Sequence, residues 1–306
     1  MRVLLLAVAV AFTPILATAV SLHSINDQIS GFLAAQELFG APLSPLRKTD
    51  VKPGKPVKPG TDLRILCVGD SITVGFLSER DGGDGTGYRL RLREDLSKDK
   101  VVFTGNVTTR GAMADNYFAA WNGKTIQYIT DHIEPSLKQR PNIILLHAGT
   151  NDMNPNPAIS TEGHDPVAAT LRLGQLIDKI IQECPDAVIL VAMIVGTCNA
   201  KQAPQTQTFQ SLVPQVVAPR LAAGAHVLAV NLTTFPIREL QDCIHPTNNG
   251  YQMLGDYWYD FITQIPEDWI VASVGSPPDR SEADRVSGVD GFILFSWVAS
   301  ILYQLL

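Results

Sequence analysis

The sequence contains little charge and no excess of basic residues. Charged residues make up 18% of the 306 positions, and Asp and Glu outnumber Lys and Arg by 30 to 24. Because no basic stripe runs along the chain, the composition argues against nucleic acid as a partner. The four cysteines include no C-x-x-C pair, so a structural zinc site has no support. The remaining composition is that of a globular protein, sufficient for one domain of about 200 residues with appendages.

The first 19 residues have the pattern of a secretory signal peptide. Arg2 is followed by an apolar stretch that ends in the small residues Ala17-Thr18-Ala19. A basic start, an apolar middle and an A-x-A end predict a cleaved signal peptide over residues 1–19, and therefore a secreted protein. A buried N-terminal strand or helix is the alternative.

Residues 269–306 form a polar spacer followed by an apolar tail. The tail, Phe292 to Leu306, has about 15 residues, whereas a membrane span needs roughly 20. A polar spacer before such a tail suits a lipid-anchor signal, which would place the protein at the cell surface. A short membrane segment and an artefact of the gene model are the alternatives.

Residues 20–61 are predicted to be a helical segment followed by a linker. The stretch from Val51 to Gly60 nearly repeats itself and consists mainly of Pro, Lys and Gly. Its prolines favour an extended chain and its lysines keep that chain in water, so we expect a solvated spacer. A basic tether to an acidic polymer is the alternative.

Residues 62–268 alternate apolar strands with helices. Continuous apolar runs of this kind are typical of parallel strands that are buried on both faces, so we expect a three-layer α/β/α sandwich. The predicted strands are Leu63–Val68, Val101–Phe103, Ile143–Leu146, Val188–Ile194 and Val227–Val230, and the predicted helices are 88–96, 126–137, 168–183, 208–222 and 247–262. The ligand site of such a fold lies beyond the carboxyl ends of the strands.

In a secreted chain the four cysteines can pair, and they allow three connectivities. Cys198 follows a strand end and Cys243 lies in a motif at the same predicted edge, so a Cys198–Cys243 bridge is our hypothesis. The pairing of Cys67 and Cys184 stays open. In a secreted protein, the two sequons that begin at Asn106 and Asn231 could also accept N-linked glycans.

Three short motifs supply the chemistry of a serine hydrolase. They are Gly69-Asp70-Ser71, Gly149-Thr150-Asn151-Asp152 and Asp242-Cys243-Ile244-His245. Ser71 follows the glycine that ends the first strand, where a helix N-terminus would face whatever its hydroxyl attacks. A plain N-cap serine is the alternative.

The other two motifs offer an oriented imidazole and an amide donor. Asp242 lies three residues before His245, so its carboxylate can hold one ring nitrogen while the other faces Ser71. The amide of Asn151 could donate to a developing oxyanion, with an Asx turn as the alternative. We expect Asp152 to cap or brace the loop.

With these motifs in this order, residues 62–265 resemble the SGNH hydrolases, also called the GDSL esterase and lipase superfamily. The resemblance implies a flavodoxin-like five-stranded parallel sheet in the order 2-1-3-4-5. It also implies that Ser71 is the nucleophile, His245 the base and Asp242 its partner. The oxyanion hole would comprise the N–H of Ser71, the amide of Asn151 and the N–H of a glycine. No metal or organic cofactor is expected.

The glycine of the oxyanion hole has two candidates. Residues 121–126, Trp-Asn-Gly-Lys-Thr-Ile, are similar to the segment H-S-G-W-T-I of the acetyl xylan esterases of carbohydrate esterase family 3. Gly123 is therefore the first candidate and Gly111 the second. Trp121 and Asn122 depart from the pattern, which bears on the substrate more than on the catalytic residues.

The resemblance implies a secreted serine esterase that removes small acyl groups, acetyl above all, from a polysaccharide such as acetylated xylan. A secreted lipase or lysophospholipase and a non-catalytic cell-surface glycan-binding protein are the alternatives. Tyr117, Phe118 and Trp121 could form a wall for a sugar ring or belong to the core. His147 is interpreted as a packed, hydrogen-bonded histidine. The oligomeric state stays open.

Overall fold

A seven-stranded sheet lies between two layers of helices in the computed structural model, which describes residues 44–275. The predicted signal peptide and apolar tail lie outside the described residues. Within the described range, no helix combines the length and apolar character that a membrane crossing requires.

Each of the five predicted strands is present, and two short strands join them. The strands are β1 (Leu63–Gly69), β2 (Val101–Thr104), β3 (Val107–Thr108), β4 (Tyr117–Ala120), β5 (Ile143–His147), β6 (Val188–Met193) and β7 (Val227–Asn231). The sequence did not reveal β3 and β4, because neither contains the continuous run of apolar branched residues by which the other strands were predicted.

The helices are α1 (Ser71–Val74), α2 (Arg89–Asp95), α3 (Ile126–His132), α4 (Glu134–Leu137), α5 (Pro166–Glu183), α6 (Ala203–Ala222) and α7 (Asn248–Thr263). Two 3-10 turns span Ile237–Glu239 and Glu267–Trp269. The single helix predicted over residues 126–137 is divided at Ile133. Pro135 has no N–H to donate to the preceding turn, so an uninterrupted helix would lose a hydrogen bond there.

The parallel strands run in the order β2-β1-β5-β6-β7, which confirms the predicted 2-1-3-4-5 sheet. Two strands share the outer side of β1. Its first half pairs with β2, and its last two residues, Val68 and Gly69, pair with Ala119 and Ala120 of β4. The chain that leaves β4 therefore starts beside the chain that leaves β1.

Both faces of the sheet are buried, as the continuous apolar runs predicted. Along β1, Ile65 and Cys67 point into a core formed with α2 and α7, and Leu66 and Val68 point into a core formed with α3 to α6. Each of these four side chains is fully buried. The helices thus cover both faces of the sheet. The end of the sheet at which the parallel strands terminate is left open for a site.

The described part of the predicted segment 20–61 is held on the domain by contacts on either side of residues 51–56, which are exposed as expected of a solvated spacer. We call residues 44–58 the strap. Leu46 extends the sheet beside β7: its N–H donates to the Ala229 carbonyl and its own carbonyl accepts from the Asn231 N–H, both at 2.8 Å. The side chains of residues 51–56 are exposed, but Val57 is buried in the core.

One buried carboxylate fastens the strap. Asp260 of α7 is 1% exposed and accepts from the N–H of Thr49 at 3.0 Å and from the N–H of Val51 at 2.9 Å. The hydroxyl of Thr49 and the side-chain amide of Gln264 donate to the same carboxylate. This contact has no local signature in the sequence, because 211 residues separate Thr49 from its acceptor.

Replacement of Asp260 by Ala should loosen the strap. The N–H groups of Thr49 and Val51 would lose their acceptor, and we expect the free energy of unfolding to fall by about 1–3 kcal/mol. Trypsin should then cut faster after Arg47 and Lys48, the basic residues of the strap that are not followed by proline. Asp268→Ala, at an exposed position, is the control and should change stability by less than about 0.5 kcal/mol. Equal effects of the two variants on chemical denaturation and on cleavage would contradict this role.

Candidate active site

Ser71 is the first residue of α1 and stands just past the end of β1. The N-cap of this helix is Asp70, whose carboxylate accepts from the N–H of Ile72 at 3.0 Å. Because Asp70 makes the capping bond, the hydroxyl of Ser71 is not needed for it. The alternative of a plain N-cap serine is therefore wrong.

The buried side chain of Arg89 holds the C-terminal end of the short helix α1. This guanidinium is fully buried and donates to the carbonyl oxygens of Thr73 and Val74, at the end of α1, and to Asn116 Oδ1 at 2.7 Å. The last carbonyls of a helix have no partner within it, so a buried cation with several donors satisfies them well. Arg89 thus secures the element that carries Ser71.

Ser71 meets the third motif across 174 residues of chain. Its Oγ lies 2.9 Å from Nε2 of His245, and Nδ1 of His245 lies 2.7 Å from Oδ2 of Asp242. Since a carboxylate only accepts, Nδ1 carries the ring proton and Nε2 accepts from the hydroxyl. The three side chains form one chain of hydrogen bonds, and the ring of Phe76 packs on the imidazole at 4.8 Å between centroids.

The loop of Asp242 and His245 is closed on itself before α7 begins. The N–H of Gln241 donates to the His245 carbonyl at 2.9 Å, and Leu240 pairs with Pro246. The second carboxylate oxygen of Asp242 accepts from the N–H groups of Ile244 and His245, at 3.1 and 2.7 Å. The carboxylate therefore orients both the ring and the backbone that bears it.

Burial raises the pKa of the Asp242 carboxyl, but the hydrogen bonds from the imidazole and from the two N–H groups outweigh burial. The pKa of Asp242 is consequently held below its ordinary value. The group remains ionised over the pH range in which an imidazole can act as a base.

A disulfide anchors the tip of this loop. Cys198, beyond β6, is bonded to Cys243, which confirms the hypothesis of a Cys198–Cys243 bridge. The hydroxyl of Thr197 also donates to the carbonyl of Cys243 at 2.7 Å. Cys67 and Cys184 are free thiols, both buried. The loop that carries Asp242 and His245 is thus linked covalently to the segment that follows β6.

Three N–H donors lie in segments that surround the Ser71 hydroxyl. The N–H of Ser71 begins a helix and makes no hydrogen bond within residues 44–275. Asn151, after β5, donates one amide hydrogen to the Lys124 carbonyl at 2.9 Å and keeps the second. This bond holds Asn151 against the turn that contains Gly123, whose φ of +69° suits glycine.

The second glycine candidate lies elsewhere. A Cβ on Gly111 would meet Thr86, Asn116 and Asp84, so this residue belongs to the loop region of Asp84. Gly123 instead follows β4 directly, and the N–H of Trp121 bonds to the Gly69 carbonyl next to Ser71. The arrangement places the turn of Gly123 next to the strand ends that Ser71 and Asn151 follow, whereas the contacts of Gly111 are with the loop of Asp84.

Asp152 braces the loop, as expected. It is fully buried; Oδ2 accepts from the N–H of Ile126 at 2.9 Å, and Oδ1 accepts from Arg172 Nη2 at 2.9 Å. The sequence did not indicate Arg172, because an arginine on a long amphipathic helix normally faces solvent. The only signal in the sequence is that Arg172 lies 20 residues after Asp152, near the start of the helix that follows the same strand.

The other candidate residues lie outside the triad. His147 is fully buried, its Nε2 accepts from the Val195 N–H, and burial lowers its pKa, so it is a neutral, packed histidine. Tyr117 and Phe118 are buried in the core, and of the suggested sugar wall only Trp121 is partly exposed. No group of three or more potential metal ligands occurs among the described residues.

Comparison with known proteins identifies a family. The model of the GDSL-like lipase/acylhydrolase family matches residues 67–253. A multidomain esterase from Ruminococcus flavefaciens is 23% identical over 294 residues, which covers 87% of this chain and 36% of that protein. The chain thus spans about a third of the length of this curated relative.

Solved structures share the fold. The family 3 carbohydrate esterase of Clostridium thermocellum has a TM-score of 0.55 and 24% identity, over 66% of this chain and 98% of that one. A carbohydrate esterase family 3 structure from Talaromyces cellulolyticus has a TM-score of 0.55 and 18% identity, over 67% and 99%. Together with the family match, they lead to one conclusion: this chain belongs to the GDSL-like lipase/acylhydrolase family, the SGNH hydrolases.

Proposed function

We propose that the protein is a serine esterase in which Ser71, His245 and Asp242 act as a catalytic triad. The hydrogen-bond chain from Asp242 through His245 to the Ser71 hydroxyl carries this proposal. A hydroxyl paired with a neutral, carboxylate-oriented imidazole is the arrangement that activates serine as a nucleophile. The family match supports the reaction class.

The reaction would proceed in two steps through an acyl-enzyme. Ser71 Oγ attacks the ester carbonyl carbon while Nε2 of His245 takes its proton. Asp242 stabilises the imidazolium that forms. Collapse of the tetrahedral intermediate expels the alcohol, which receives the proton from His245. A water molecule, deprotonated by the same ring, then attacks the acyl-serine. Collapse of this second intermediate releases the acid and the oxygen of Ser71, which regains its proton from His245.

The oxyanion of each tetrahedral intermediate needs fixed donors. We assign this role to the N–H groups of Ser71 and Gly123 and to the free amide hydrogen of Asn151. Loss of a single donor of this kind typically lowers kcat by about 10²–10³. These donors sit on turns that follow three different strands, so the sheet itself sets their spacing.

We further propose that the substrate is a small acyl ester, acetyl above all, on a polysaccharide such as xylan. The likeness of residues 121–126 to acetyl xylan esterases supports this substrate, and so does the partly exposed Trp121 beside Gly123. The relatives' names, a multidomain esterase and two carbohydrate esterases, point the same way. A non-catalytic glycan-binding role would leave the Ser71–His245 hydrogen bond without a purpose.

Secretion is part of the proposal. The signal-peptide pattern of residues 1–19 supports it, and the Cys198–Cys243 disulfide is of the kind that persists in oxidising compartments. Attachment to the cell surface through the C-terminal tail is proposed on sequence alone. Of the two sequons, Asn231 is the better glycan acceptor, because its side chain bonds only to Thr233 within the sequon. Asn106 bonds to Ser136 instead.

Purified protein should release acetate from acetylated xylan, and Ser71→Ala should lower the rate by at least about 10⁴. The expected cause is loss of the nucleophile alone, so the thermal unfolding temperature of the variant should match that of the wild type. Nitrophenyl acetate should be hydrolysed faster than nitrophenyl octanoate. Faster turnover of octanoyl or longer esters would favour a lipase, and unchanged acetate release by Ser71→Ala would exclude Ser71 as the nucleophile.

Asp242→Asn should lower kcat by about 10⁴, because an amide can donate to Nδ1 and favour the wrong tautomer. Its effect on stability should depend on pH. The folded-state pKa of Asp242 is depressed, so its contribution is complete above the unfolded-state value of about 3.9 and is lost as pH falls through the lower folded-state value. The difference in unfolding free energy between wild type and variant should therefore shrink below about pH 3.9. A difference that stays constant with pH would show that the charge of Asp242 does not contribute.

A further inference from the structure

One carboxylate joins the two turns that carry proposed oxyanion donors. We call residues 121–125 and 149–152 the oxyanion turns. Asp152 belongs to the second turn, next to Asn151, and it accepts from the N–H of Ile126, the residue that follows the first turn. Asn151 bonds back to the carbonyl of Lys124. The turns are thus connected by two hydrogen bonds in opposite directions.

The position of Asp152 is set by a single cation from a different layer. Arg172 projects from the second turn of α5 and donates to Oδ1 of Asp152 through Nη2 at 2.9 Å and through Nε at 3.3 Å. The Arg172 side chain is 12% exposed and that of Asp152 is 0% exposed. A pair so shielded from water is strong and directional, unlike an ion pair at the surface.

The charges around Asp152 oppose one another. Burial and Glu162 disfavour the carboxylate, whereas the N–H of Ile126, the first residue of α3, and the guanidinium of Arg172 favour it. Burial outweighs the rest and raises the pKa of Asp152. Without Arg172, the carboxyl would have neither a cation nor water, and a protonated carboxyl is a weaker acceptor for the Ile126 N–H.

We infer that Arg172 is a positioning residue of the oxyanion hole, which acts by holding the carboxyl group of Asp152 aimed at the turn of Gly123. Its kinetic consequence rests on the proposed function. Misplacement of a donor by about 1 Å can cost up to about a hundredfold in rate, so a remote arginine can control kcat through this link. Arg172 itself does not touch the reacting atoms.

The test compares Arg172→Met with Arg172→Lys and with the matched control Arg220→Met. Arg220 has a side chain of similar exposure, 15%, and forms an ion pair with Asp178 of α5, whose side chain is 59% exposed, but it bonds to neither oxyanion turn. We expect Arg172→Met to lower kcat for nitrophenyl acetate at least about tenfold, with KM changed less than about twofold. Arg172→Lys should regain most of this loss, and Arg220→Met should keep the wild-type kcat.

A pH profile separates positioning from general destabilisation. In Arg172→Met the acidic limb of kcat should move to higher pH, because Asp152 would protonate sooner. Asp152→Asn, which cannot ionise, should show a loss of kcat without that movement. Equal thermal destabilisation in Arg172→Met and Arg220→Met, with wild-type kcat per active site in both, would overturn the inference. If Arg172→Met does not fold, a wild-type kcat in Asp152→Asn would overturn it.

Failure of the proposed function can be distinguished from failure of this inference. Should the wild type hydrolyse no ester, amide hydrogen exchange at Ile126 still reports the brace. Exchange at this amide should be at least about tenfold faster in Arg172→Met than in the wild type, faster by a smaller factor in Arg172→Lys, and unchanged in Arg220→Met. Unchanged exchange in both Arg172 variants would overturn the inference regardless of activity.

Discussion

The parallel pairing of β1 with β5 is the constraint on which the site depends. Gly69, the last residue of β1, is opposite His147, the last residue of β5, so the two strands end at one level. A Cβ on Gly69 would lie 2.2 Å from the His147 carbonyl oxygen, so only glycine permits this approach. Ser71 and Asn151 follow these ends by two and four residues and therefore leave the sheet side by side.

Buried polar side chains fix the positions of turns and short helices that hydrophobic packing alone does not determine. Arg89, Asp152 and Asp260 are each at most 1% exposed, and each makes at least three hydrogen bonds to segments distant in sequence. Apolar contacts are not directional, so they allow a turn or short helix to slide. A desolvated charge is costly unless every partner is in place, which makes these groups specify position.

The two halves of the proposed triad are supported differently. Ser71 lies on a helix whose start and end are both capped, by Asp70 and Arg89. His245 lies on a loop that belongs to no sheet strand, and its place depends on local hydrogen bonds and on the Cys198–Cys243 bridge. Ser71 on its capped helix and His245 on its disulfide-linked loop are therefore both fixed, which maintains the 2.9 Å contact between them although His245 lies on a loop.

The sequence by itself determined the α/β class, the five parallel strands and the residue types available for chemistry, because buried strands and strand-end motifs leave local patterns. The sheet order and the choice of Gly123 came from the resemblance to a family. Only the tertiary structure decided that the strap packs on α7, that β4 extends the edge of β1 and that Arg172 reaches Asp152. Each of these contacts joins residues that are far apart in the sequence and leave no local pattern. Their partners are therefore determined by the path of the folded chain and not by the neighbouring residues.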